Sequence, residues 1–398
     1  MTSRVIARSA VALSCFCASW LMGTLPVSAA EPYDLNVILS LTGGASFLGK
    51  AEQQALQLVE KWANDNGGIQ GRPLHLVFHD DQSTPQVAVQ LASQVVAGKP
   101  AVEIGANLVA MCNAMAPLMT NGPVMYCLSP GIHPAEGAYV FTSSVSTVDL
   151  SRALIRHWRM KGWTKIAVMT STDASGQDAE KGINLNLALP ENAEVKVVAR
   201  EHFNPTDVSV SAQIENIKAA QPQAFIAWST GAPIGTIFKG IVQAGLDVPV
   251  GTTDGNMTFA QMTQYAAFLP KQLFIPAAEW AMHGSDLKRE PAVMAAQERF
   301  DAAFKAGGIT PDVASALAWD PAMIIIDALR KIGPAATAAQ LREYISHLKA
   351  YAGVDGIYDF ERVPQRGLDV NDAVVTLWDP GKKTWQVVSE PAGAPLGP

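Results

Sequence analysis

The sequence is poor in charge, in cysteine and in recognisable catalytic motifs. Only 16% of its 398 residues are charged, and 29 Lys and Arg fall short of 36 Asp and Glu, for a formal net charge of -7. A nucleic-acid-binding domain normally carries a basic excess that neutralises phosphates, so this balance argues against that class. There is no Gly-x-Ser-x-Gly elbow, no phosphate loop, no Gly-x-Gly-x-x-Gly, no His-Glu-x-x-His and no Cys-x-x-Cys, so no enzyme is expected. His75 and His79, backed by Asp80 and Asp81, are the best metal candidates. Side chains four apart on a strand stand too far from each other for one small ion, so neither a metal nor a cofactor is expected.

Long apolar runs are also scarce, with one exception. Arg4 and Arg8 precede an apolar stretch from Ser9 to Leu25, followed by the small residues of Val27-Ser28-Ala29-Ala30. This arrangement predicts a cleaved signal peptide over residues 1–30 and a mature chain in an exported compartment. No later stretch is long and apolar enough to span a bilayer. Of four cysteines, Cys15 and Cys17 fall in the leader, leaving Cys112 and Cys127. In an oxidising compartment these two form a disulfide or remain as two buried thiols; spacing alone leaves both open.

What is present in quantity is apolar: 48% of the residues are hydrophobic, which excludes disorder, and the length suggests two domains with a core in each. Runs of strand type at Leu35–Leu41, Leu74–His79, Ala101–Ile104, Val124–Leu128, Lys165–Met169, Glu194–Val198, Ala224–Trp228, Val248–Gly251 and Leu273–Pro276 alternate with amphipathic helical segments. That is the pattern of an α/β fold with mainly parallel sheets and helices on both faces. Longer helices at about Pro291–Ala306, Asp312–Ile332 and Thr337–Leu348 precede a hairpin of Ala373–Trp378 and Thr384–Val388. No low-complexity linker separates domains, so they are joined by short crossings near Thr142–Thr147, Pro276–Gly284 and Tyr351–Tyr358. Strands repeatedly end in short polar loops, such as Gly105–Asn107, Ser129–Gly131, Ser229–Ala232 and Thr252–Asn256. In open α/β sheets such loops gather at the carboxyl edge, where ligands bind.

The stretch Asn64-Asp65-Asn66-Gly67-Gly68-Ile69-Gln70-Gly71-Arg72-Pro73, followed by Asp80-Asp81-Gln82-Ser83-Thr84-Pro85, resembles the leucine/isoleucine/valine-binding family of periplasmic binding proteins. Leu41-Thr42-Gly43, Ala116-Pro117, Ser129-Pro130, Gly162-Trp163 and Gly356-Ile357-Tyr358-Asp359-Phe360 extend the resemblance over nearly the whole mature chain. The resemblance implies a type I clamshell of two doubly wound lobes joined by three hinge crossings. It implies a monomer that hands a small molecule to the permease and ATPase of an inner-membrane ABC importer. By this reading residues 31–143 plus 280–353 form one lobe, 144–279 plus 354–389 the other, and 390–398 a flexible tail.

The same resemblance places a ligand among Asn107, Leu108 and Val109, the turn of Ser129, Gly131, Ile132 and His133, and, from the second lobe, Ser175, Trp228, Thr230 and Asp254. Asp254 matches an acidic residue that pairs with a ligand ammonium. Val109 stands where the family usually carries a hydroxyl and Ser175 where amino-acid binders often carry Tyr, which weakens the aliphatic assignment. An aromatic carboxylate stacked on Phe47, Trp228 or Trp280, with His133 holding the acid, is the alternative, as is an amide. A sensor that reports ligand occupancy to a membrane receptor would share the same pocket.

Overall fold

The computed structural model describes residues 1–2 and 30–397, so nearly all of the expected leader lies outside the described residues. No helix among the described residues is long and apolar enough to cross a membrane.

Five strands alternate with three helices in the first part of the chain: β1 (Tyr33–Leu39), α1 (Ser46–Asp65), β2 (Leu74–Asp80), α2 (Pro85–Ala97), β3 (Val102–Gly105), α3 (Val109–Met115), β4 (Val124–Cys127) and β5 (Val140–Thr142). They pair in the order β2-β1-β3-β4-β5, every pair parallel. Alternation decides the faces: Leu35, Val37 and Leu39 of β1 are fully buried and share a core with Ala55, Leu56, Val59 and Ala63 of α1.

The chain then builds a second sheet through α4 (Thr147–Met160), β6 (Lys165–Ser171), α5 (Ala174–Leu187), β7 (Lys196–Phe203), α6 (Ser211–Ala219), β8 (Ala224–Trp228), α7 (Ile234–Gln243), β9 (Val250–Gly251), α8 (Phe259–Gln264) and β10 (Leu273–Ala278). It returns to the first lobe as α9 (Pro291–Gly307), α10 (Val313–Ile332), α11 (Ala338–Ser346) and the short pair β11 (Tyr351–Ala352) and β12 (Ile357–Tyr358). The hairpin β13 (Ala373–Asp379) and β14 (Thr384–Val387) closes the second sheet, in the order β14-β13-β10-β9-β8-β6-β7. Only the contacts of β13 are antiparallel there. The expected α/β architecture of two lobes with parallel-dominated sheets is therefore the observed one.

Several elements differ from the sequence expectation. The strand expected at Glu194–Val198 runs from Lys196 to Phe203, because it lies at the sheet edge and tolerates Arg200, Glu201 and His202 where a central strand would be apolar. The short α3, α8 and β5 were not anticipated, being too brief for a periodic signal. The segment expected to cross at Tyr351–Tyr358 stays on the first lobe, since the buried Asp320 of α10 accepts bonds from Val354 N at 2.9 Å, Asp355 N at 3.0 Å and the Tyr358 hydroxyl at 3.0 Å. Gln365 O then accepts from Thr142 N, and the chain reaches the second sheet only at β13. The tail differs as well: Ala392 is buried, and the backbone at Gly393, with φ +72°, presses so close to Ala153 of α4 that any Cβ would overlap its carbonyl.

Cys112 of α3 and Cys127 of β4 form a disulfide in the structure. Both residues are fully buried in the cluster that packs α2 and α3 on the first sheet. Intact mass of the mature protein after alkylation should show no labelled thiol until reductant is added. Replacing both cysteines by alanine should lower unfolding free energy by about 2–4 kcal/mol in chemical denaturation; two thiols labelled without reductant would refute the bridge.

Candidate ligand cleft between the lobes

The carboxyl ends of β3 and β4 in one lobe and of β6, β8 and β9 in the other face a single narrow cavity. Its walls include Asn107, Leu108, Val109, Ser129 and Gly131 from the first lobe and Ser175, Trp228, Thr230 and Asp254 from the second. The cavity measures about 20 Å³, room for about one water, so a solute of amino-acid size can enter only when the lobes part. Direct bonds join the lobes around it: Ala232 N donates to Gly44 O at 2.9 Å, and Phe259 N to Asp312 Oδ2 at 3.3 Å. The arrangement is a closed clamshell.

Each wall has a local cause. Asn107 is held by its amide, which donates to Glu52 Oε2 at 2.7 Å; Glu52 is wholly buried, and desolvation raises its carboxyl well above the usual range. Gly131 cannot be replaced without moving Val109, whose Cγ2 lies 2.6 Å from where a Cβ would be. Ser175, in the first turn of α5, shares a hydroxyl contact of 2.8 Å with Thr230, so the two hydroxyls form one polar spot. Trp228 ends β8 fully buried and presents an aromatic wall.

Asp254 is the chemically decisive group. Its Oδ1 accepts from Thr253 Oγ1 at 2.9 Å and Gly255 N at 2.8 Å, while its Oδ2 is buried with no partner among the described residues. Burial pushes the carboxyl up to about 6, against the opposing pull of those two bonds and of the Arg366 guanidinium. A buried carboxylate with a free oxygen costs free energy until a cation or a proton meets it.

Four expected contacts lie elsewhere. Phe47 faces away from the cavity, edge-on to Tyr265 at 6.1 Å, because its neighbour Leu48 takes the inward position on the first turn of α1. Ile132 packs in the core behind the Ser129 loop, and half-buried Trp280 packs against both lobes' cores instead of a ligand wall. His133 does not line the cavity either; its Nε2 sits 2.7 Å from Asp178 Oδ1 of α5, which makes it a bridge between the lobes. Sequence reasoning missed Leu48, Thr147, Thr253 and Leu317, which also line the cavity. Thr253 adjoins Asp254 and could have been found; Leu317 sits in a helix with no local signal.

Arg366 was missed entirely. Its buried guanidinium donates to Pro130 O at 3.0 Å and Ile132 O at 2.7 Å in the cavity loop, and to Ser143 O at 3.3 Å and Ser144 O at 3.0 Å in the first crossing. Desolvation lowers it to about 10, opposed by the charges of Asp149, Asp178 and Asp254, so it stays cationic.

Comparison with known proteins agrees with the two-lobed fold. Residues 33–382 match the family profile described as periplasmic binding protein. No curated protein matches the chain. Among solved structures, the chain is similar to the branched-chain amino acid transporter substrate-binding protein LivJ of Streptococcus pneumoniae in complex with isoleucine, at 18% identity and TM-score 0.74 over 90% of this chain and 99% of that one. It is similar to the leucine-binding protein LivK of Thermotoga maritima at 19% identity and TM-score 0.75, over 89% and 97%. It is also similar to a solute-binding protein of Rhodopseudomonas palustris in complex with benzoate, at 18% identity and TM-score 0.72, over 92% and 98%.

Two outcomes follow from the cleft. His133→Ala should weaken closure by about 1 kcal/mol, the worth of one hydrogen bond, and so raise the radius of gyration in X-ray scattering; an unchanged profile would remove the bridge from the closing mechanism. Asp254, Asp320 and Asp372 are raised to about 6 and Asp312 to about 7, in each case chiefly by desolvation. Between their unfolded values near 4 and these folded values the folded protein holds protons that the unfolded chain has released. Stability of the ligand-free protein should therefore fall as pH rises from about 4 to 7 and go on falling to about 8, where buried Glu103 gives up its proton, as followed by urea unfolding.

Proposed function

The chain belongs to the periplasmic binding protein family, and from that premise we propose that it is the periplasmic solute receptor of an ABC importer of the branched-chain amino acid type. It captures a small ammonium-bearing carboxylate, an amino acid, by closing two lobes, and presents it to a permease and ATPase in the inner membrane. The expected export signal is consistent with that location, and a single chain suffices for the cleft.

The observation that carries the ligand class is the free, fully buried oxygen of Asp254 in the cavity wall. An ammonium group is the partner this oxygen lacks, and Ser175 with Thr230 offers hydroxyl acceptors beside it. Across the cleft the Ser129 hydroxyl and the Gly131 N–H, 3.4 Å apart, can turn to a carboxylate. Leu48, Leu108, Val109 and Leu317 supply the apolar remainder.

One second reading has its own support: an aromatic carboxylate against Trp228, with Asp254 protonated so that it donates rather than repels. The two readings differ in sign. Ammonium pairing needs ionised Asp254, so amino-acid affinity should rise as pH increases through about 6; aromatic-acid affinity should fall over the same range.

The test is a thermal-shift panel of aliphatic amino acids, aromatic acids and amides on protein stripped of carried-over solute by partial unfolding. A true ligand at about a hundred times its dissociation constant adds about 2.7 kcal/mol. Asp254→Asn should cost an amino acid more than tenfold in affinity by calorimetry. Unchanged affinity would remove the ammonium-pairing role, and silence across the panel would favour a different solute or a sensing role.

A further inference from the structure

On the outer face of the second lobe, remote from the cleft, four separate pieces of chain enclose a recess of about 330 Å³. Its floor is a half-buried stripe of α4, where Arg152, Arg156 and Arg159 follow one another at helical spacing. The tail at Ala392 forms one wall, Val370 and Asn371 before β13 a second, and the turn at Glu191 and Asn192 a third. The tail wall is held in place by the contact of Gly393 with Ala153 described above.

Three arginines line this recess against one carboxylate, a formal excess of two positive charges on a protein that is acidic overall. Their donors are largely unspent among the described residues. Arg152 reaches Glu191 Oε1 at 3.3 Å, Arg156 reaches the Ala392 carbonyl at 3.5 Å, and Arg159 Nε is shut off from solvent with no partner. Of the neighbouring acids, Asp369 pairs with Arg362, while Asp149, held by Ser146 Oγ at 2.7 Å, is shared between the charges of Arg366 and Arg152 and does not line the recess. Helix-dipole complementation accounts for Arg159 in the last turn, but not for Arg152 two turns earlier.

We propose that this recess binds a phosphate-type dianion, either free or carried by a lipid headgroup. Several guanidinium forks converging from one helix face fit a tetrahedral oxyanion, whose oxygens each accept more than one N–H, and the charge excess matches a dianion. Bound there, the anion ties α4 to the tail and to the segment entering β13, and so stiffens the second lobe at the third crossing.

Melting temperature of the full mature chain, measured in sodium phosphate or pyrophosphate against sodium chloride at equal ionic strength, tests this. The expected result is a rise of about 2 °C with phosphate at about ten times its dissociation constant. It should vanish in Arg156→Gln and Arg159→Gln, and persist in Arg342→Gln on the other lobe. Arg159→Lys, which keeps the charge, should retain part of it and guards against a variant that merely folds poorly. Flotation with phosphatidic acid vesicles, whose phosphomonoester headgroup can carry two negative charges, set against phosphatidylcholine vesicles, separates the sources: arginine-dependent flotation assigns a headgroup, and a phosphate shift without flotation assigns a free anion. No shift and no flotation, or effects equal in wild type and both glutamine variants, would overturn the proposal.

Discussion

The loop that walls the cleft is tied to the crossings between the lobes through the guanidinium of Arg366. A charge withdrawn from water must be met by partners, and here four backbone carbonyls from two separate loops meet it. Two belong to the loop that walls the cleft and two to the first crossing, while the arginine itself sits on the approach to the third. One side chain thus fixes the ligand loop relative to two of the three hinges. The surrounding carboxyls of Asp149, Asp178 and Asp254 keep it charged despite its burial.

A second device works from α10. Pro321 lies inside that helix and has no N–H to give the carbonyl of Leu317, which instead accepts the Ser143 hydroxyl of the first crossing at 2.8 Å. The proline that would weaken an isolated helix here opens a docking point for the hinge. Asp320, its neighbour, gathers the β11–β12 segment onto the same helix. The long buried helix of the first lobe therefore organises the crossings as well as the core.

Much of this was legible in the sequence, and the boundary of legibility is physical. Strand and helix alternation follows from burial periodicity, so β1, β6, β8 and α10 could be read directly. Loops at strand ends could be read as a cleft, which is why Asn107, Ser129, Ser175, Thr230 and Asp254 meet in one cavity. Orientation within a turn could not. Phe47 and Leu48 are adjacent and only tertiary packing decides which faces inward, and His133 has a carboxylate partner forty-five residues away that no local pattern announces. Arg366 is met by backbone carbonyls and Leu317 meets the first crossing through its own, groups that every residue carries, so no local pattern announces either pairing.

The Cys112–Cys127 bridge joins the helix that begins at Val109 to the strand that ends just before Ser129. These are the two stretches from which the first lobe draws its share of the cleft. Cross-linked, they form one rigid jaw whose spacing is set before any solute arrives. In a reducing compartment the same jaw would rest on the packing of its buried cluster and the Leu128 N to Ala106 O bond alone. Completion of this side of the cleft is in this sense an oxidation event, since the bond that locks the two stretches together forms only where thiols are oxidised.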